Sequence, residues 1–152
     1  MAVVGAAMLS FVSIPFFGHL SDRLGRKRVY MLGAAQTGAY GFVYFTLLDT
    51  RVPWLVVVAI VLSLVPHDMM YGPQAALIAE SFTGRLRYSG ASLGYQLSSL
   101  IAGGPAPVIA SWLLSRYRSS TVIAGFIFAC AIITLLATAM LKDYTNKDVS
   151  DN

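Results

Sequence analysis

Residues 18–27 read GHLSDRLGRK, a charged island set between two long apolar runs, and the reading of this stretch decides the fold. Around it the 152-residue chain is 57% hydrophobic and only 12% charged, with a mean hydropathy of +0.67, well above ordinary soluble domains. The island therefore reads as a connection between membrane spans. A span needs about 20 apolar residues to cross roughly 30 Å of hydrocarbon. Five segments approach or exceed that length: about 1–20, 29–48, 52–82, 88–115 and 119–141. Period-2 alternation is absent, so the expected class is all-α: a polytopic membrane bundle of about five transmembrane helices over residues 1–141, followed by a polar tail over 142–152.

The connections between these runs are short, which makes neighbouring helices antiparallel. Arg23, Arg26, Lys27, Arg28, Arg85, Arg87, Lys142 and Lys147 then fall on one side, against Arg51, Arg116 and Arg118 on the other. The excess of positive charge predicts that GHLSDRLGRK and the C-terminus face the cytoplasm of a multi-pass protein of the cell (inner or plasma) membrane. Clustering of the basic residues between apolar runs, rather than along one face, argues against a nucleic-acid partner. The single cysteine, Cys130, lies in an apolar run and is expected to be a small core residue. Trp54 and Trp112 fall near the expected outer ends of their spans, where amphipathic rings anchor helices.

Polar groups inside hydrocarbon are costly, so those present are the pointers to function. The third span, VPWLVVVAIVLSLVPHDMMYGPQAALIAESF, is the richest. His67 and Asp68 follow Pro53 by 14 and 15 residues, roughly 20 Å along a helix, and form a protonatable pair deep in the membrane. Tyr71 and Gln74 share a helical face with His67, beside breaks expected at Pro66, Gly72 and Pro73. A lined passage for substrate or proton and plain packing around a kink both fit this pattern. In the fourth span Ser89, Ser92, Gln96, Ser99 and Gly103 recur at intervals of three and four and form one seam. Gly90 and Gly94 make a small-xxx-small packing signal, Gln96 is a candidate ligand contact, and Gly103, Gly104 and Pro105 predict a bend. No metal-ligand spacing, nucleophile elbow or phosphate-binding loop occurs, so no enzyme activity, cofactor or metal is expected.

The island itself resembles the loop motif of the major facilitator superfamily, G-x-L-x-D-R-x-G-R-R/K, carried here by Gly18, Asp22, Arg23, Gly25, Arg26 and Lys27. MYGPQAALIAESF and RLRYSGASLGYQLSSLIAGGPAP are similar to the tenth and eleventh helices of its metabolite:H⁺ symporter family, which includes shikimate, proline/betaine and α-ketoglutarate permeases. The resemblance implies helices eight to twelve of a twelve-helix fold, with the preceding helices as the missing N-terminal partner. It implies proton-coupled symport of a small polar or carboxylated metabolite by alternating access, with the substrate, the proton and the lipid bilayer as partners and no transport by this part alone. Gly18 is expected to allow close helix approach and Gly25 a tight turn. Asp22, Glu80, Arg85 and Arg87 are expected to complete a cytoplasmic gate around the motif. An inactive remnant, a membrane interaction module, a sugar facilitator and a drug exporter are the alternatives.

Overall fold

The structure, a computed structural model, describes residues 2–82 and 86–141, with backbone alone for residues 2–6. Arg85, Lys142 and Lys147 lie outside the described residues, as does the polar tail. Every regular element described is helical: α1 (Ala2–Leu24), α2 (Arg26–Asp49), α3 (Pro53–Glu80), α4 (Arg87–Ser98), α5 (Pro105–Tyr117) and α6 (Ser120–Met140). A π-helical turn over Ser99–Gly103 joins α4 to α5, so the described residues form five long helices. Among the described residues, three of these are long and apolar enough to cross a membrane: Pro53–Glu80, Arg87–Tyr117 and Ser120–Met140.

Two local differences from the sequence reading have clear causes. The charged island is not a loop: α1 runs on through Asp22, Arg23 and Leu24, and Gly25 alone separates it from α2. Gly25 has φ 102° and ψ 122°, a conformation closed to residues with a Cβ, so one glycine reverses the chain without further loop. Pro66 and Pro73 do not interrupt α3, which is continuous from Pro53 to Glu80. Both prolines are buried against neighbouring helices, the setting in which membrane helices tolerate them.

The bundle is organised around α2, which packs along α3 and α6 and more lightly along α1, while α1 lies along α3. Between lipid-solvated helices, close packing of small residues replaces the hydrophobic drive. The interface is built accordingly. Gly33, Ala34, Gly38 and Gly41 are buried along α2. A Cβ on Gly33 would meet Met70 Cγ at 2.8 Å and the Pro66 carbonyl at 3.0 Å, and one on Gly38 would meet Ala131 Cβ at 2.8 Å. The α1–α3 contact is as close and is made by backbone: a Cβ on Gly72 would lie 2.8 Å from Gly18 N and 3.0 Å from Ile14 O. The buried core is thus made largely of Ala59, Ala34, Ala124 and Ala131 with Val29 and Leu77.

The α4–α5 helix is different, since none of its residues is buried. The bend expected at Gly103–Pro105 is taken up by the π turn, in which Gly104 N donates to Ser99 O at 3.2 Å. Gly90 packs on the Phe82 ring, whereas Gly94 meets nothing within 4 Å among the described residues. Cys130 is exposed rather than in the core, at a cavity that α6 forms with Ala34 and Thr37 of α2 and Met70 of α3.

Candidate functional site

α3 presents three faces, and the side chains sort between them by their 100° steps around the helix. One face, carrying Asp68 and Gly72, lies on α1; a second, with Pro66, Met69 and Met70, lies on α2 at Gly33. The third carries His67, Tyr71 and Gln74, which line a cavity of about 390 Å³ together with Tyr30 and Thr37 of α2 and Ser63 of α3. Its size falls in the range of about 300–1,000 Å³ usual for small-ligand sites. Gln96 is exposed on α4 and does not line this cavity.

Asp68 is completely buried, and its carboxylate is met from two helices. His67 Nδ1 lies 2.9 Å from Asp68 Oδ1, and the exposed imidazole stacks on the Tyr71 ring at 5.7 Å and 13°. The sequence places neighbouring side chains 100° apart, yet the His67 ring bends back to reach its neighbour. From α1, Ser10 Oγ donates to Asp68 Oδ1 at 3.2 Å and Ser13 Oγ is hydrogen-bonded to Asp68 Oδ2. Ser13 Oγ also lies 3.0 Å from the Leu9 carbonyl. A hydroxyl has one hydrogen and two lone pairs, so these two contacts of Ser13 are alternatives. When Asp68 is ionised, Ser13 donates to it. When Asp68 carries a proton, that proton is donated to Ser13, whose own hydrogen turns to Leu9 O. Asp68 and Ser13 keep a partner among the described residues in either state.

Ser10 and Ser13 were not singled out by the sequence reading. The signal was present as two hydroxyls spaced i, i+3 in an otherwise apolar run, but their value depends on the acid of α3, 55 residues away.

A second cluster lies at the Gly25 end. Arg26 pairs with Asp22, four residues earlier and across Gly25, at 2.7 Å, and with Glu80 at the end of α3. Glu80 therefore turns to Arg26 rather than to Arg87, leaving Glu80 Oε2 and Arg87 Nε as buried atoms without a partner among the described residues. The next residue, Lys27, donates to the carbonyls of Ala139 and Leu141 at 2.8 and 2.6 Å, capping the C-terminal end of α6. Arg23 is exposed. Gly18 sits where its backbone meets Gly72, and Ser21, buried beside them, donates to Gly18 O at 2.6 Å.

Comparison with known proteins agrees with this architecture. Residues 1–151 match the Major Facilitator Superfamily. The chain is 34% identical to the shikimate transporter of Escherichia coli (strain K12) over 137 residues, covering 89% of the chain and 31% of that relative. It is 32% identical to the inner membrane metabolite transport protein YhjE of the same organism over 144 residues, covering 94% of the chain and 32% of the relative. A proline/betaine transporter, also from that strain, is 25% identical over 146 residues, covering 95% of the chain and 29% of the relative. The chain thus spans about a third of the length of the curated relatives it matches, and no solved structure matches it. An all-helical bundle with a one-glycine reversal inside the charged motif, matched along its length by one family of transporters, makes this chain a member of the Major Facilitator Superfamily.

Proposed function

We propose that the chain supplies the C-terminal spans, helices eight to twelve, of a proton-coupled symporter for a small polar or carboxylated metabolite. The observation that carries the proton coupling is Asp68: a fully buried carboxylate whose hydrogen-bond network closes with the proton on or off. Its hydrogen-bond partners among the described residues are Ser10, Ser13 and His67. Among the described residues His67 is the other titratable side chain against it, exposed on the cavity face, so a proton has a route from cavity to carboxylate through the ring. Substrate is held at His67, Tyr71 and Gln74, with Gln96 brought to the site by the uncovered α4–α5 helix when the remaining helices of the transporter are in place. Alternating access opens and closes the Arg26–Glu80 and Lys27–α6 contacts on the cytoplasmic side.

The test uses the protein tagged after Asn152 at its own chromosomal locus. The tagged product is expected to be about three times the size of this chain, in line with its share of the relatives. In proteoliposomes an inward proton gradient should drive metabolite uptake. Asp68→Asn should abolish gradient-driven uptake while leaving substrate exchange across the membrane intact, since exchange returns the carrier without releasing the proton. Loss of both activities, or retention of both, counts against Asp68 as the coupling group.

A further inference from the structure

Two of the side chains that line the cavity at His67, Thr37 and Met70, also line a second cavity of about 260 Å³. This second chamber lies between α2, α3 and α6, where Ala34, Phe126, Ile127 and Ala131 make its walls apolar. Its polar groups are few: Thr134 Oγ1 is hydrogen-bonded to the Cys130 carbonyl at 2.9 Å, and the Cys130 thiol is exposed at its edge. The wall between the chambers is held loosely. Met70 leans on Gly33, where a Cβ would come within 2.8 Å of Met70 Cγ. Its sulfur lies 3.6 Å from Thr37 Oγ1, a weak contact for a hydroxyl whose hydrogen is also drawn to the Gly33 carbonyl at 2.9 Å. A methionine side chain is unbranched and flexible, so this partition can move without moving the helices.

The two chambers suit different ends of one molecule. The first presents His67, Tyr71 and Gln74 to a polar group. The second is smaller than the range of about 300–1,000 Å³ usual for a whole small ligand, yet larger than the roughly 150 Å³ at which an apolar cavity binds benzene. We propose that the α6 chamber is a subsite for an apolar group of about the size of a benzene ring on the transported molecule, with Met70 as the partition that swings aside to admit it. The polar end stays with α3 while the apolar end reaches α6. Continuity with the first chamber through Met70 and Thr37 selects this occupant over a lipid chain. The inference rests on the transport reading above and adds a substrate class to it: a metabolite with one polar and one apolar end.

Cys130 serves as the reporter for the test, on the tagged protein purified from its host's membranes into nanodiscs. The reagent is p-chloromercuribenzenesulfonate, whose fixed charge keeps it out of lipid; it forms a sulfur–mercury bond, the thiol losing its proton and the reagent its chloride. The extent of reaction is read, after unfolding, as the loss of iodoacetamide labelling at Cys130 by mass spectrometry of its peptide. Met70→Ala should speed the reaction at least about ten-fold, because in the unaltered protein the partition stands aside only in a minor state. Met70→Leu, which keeps most of the volume, should stay within about two-fold of the original rate. Benzoate should protect Cys130 of the unaltered protein at concentrations at least about ten-fold lower than acetate, since only benzoate has a ring to bury. Equal rates in the unaltered protein and Met70→Ala, or no advantage of benzoate over acetate, overturns the inference. So does reaction of Cys130 with uncharged N-phenylmaleimide where the charged mercurial leaves it untouched, which would open the chamber to lipid chains instead. Should Met70→Ala fail to fold, the comparison of benzoate with acetate decides alone. After any such failure, gradient-driven metabolite uptake by the same protein in proteoliposomes would leave the transport reading standing, whereas no gradient-driven uptake of any metabolite would remove both.

Discussion

Asp68 illustrates how much one buried acid depends on a helix far away in sequence. Its charge is tolerable in an apolar bundle because Ser10, Ser13 and His67 surround it. Ser13 is the group that accommodates either protonation state, through its alternative partner at Leu9 O. Ser13→Ala should therefore slow proton-driven uptake about ten-fold, because the protonated acid loses its acceptor at a cost of about 1–3 kcal/mol. Ser10→Ala, which removes a longer bond to the other oxygen, should slow it less. Initial rates of uptake against external pH measure both, and equal rates in the two variants would show that Ser13 has no special part. At this scale the sequence exposed the acid and the imidazole, since charge in an apolar run is conspicuous. The serines escaped notice because a hydroxyl in a membrane helix ordinarily turns back to its own backbone, as Ser63, Thr37 and Thr134 do here.

Among the elements, α3 owes its position to glycine. Gly72 rests on the backbone of α1, and no side chain can be fitted there without separating the two helices. Gly72→Val should lower the thermal unfolding temperature in detergent by several degrees, reflecting about 1–3 kcal/mol of overpacking. Gly94→Val on the uncovered α4 should change it little in the isolated chain, since nothing lies within 4 Å. Hydropathy made the helices themselves legible, together with the distortion at Gly103–Pro105. The run of the charged motif was not legible in the same way. Asp22 and Arg23 look like loop residues by polarity, but a helix end near the interface accommodates them, and the reversal needs only the unusual φ of Gly25. The prolines misled for the opposite reason: their local rule breaks a helix in water, whereas buried packing keeps α3 whole.

At the scale of the molecule, the small-residue core joins α1, α2, α3 and α6, while α4–α5 stands apart with no buried residue. On the function proposed above, the exposed helix is the surface on which further spans of the transporter would pack. The excess of basic residues at the Gly25 end further predicts that green fluorescent protein fused after Asn152 will fluoresce and that alkaline phosphatase fused there will be inactive. The reverse pattern would invert the topology. The Lys27 cap makes another prediction at this scale. Lys27→Met should speed amide hydrogen exchange at Met140 and Leu141, about ten-fold, while Lys27→Arg should hold it near the original rate, because a guanidinium can still donate to Ala139 and Leu141.

Arg26 and Lys27 are successive residues, and helical geometry points them about 100° apart, one toward the end of α3 and the other toward the end of α6. Turning α2 about its own axis would pull against both attachments at once, in opposite senses. Tilting α2 about its far end loosens them together. The two contacts therefore oppose spin of α2 more than tilt, because only tilt relaxes both together.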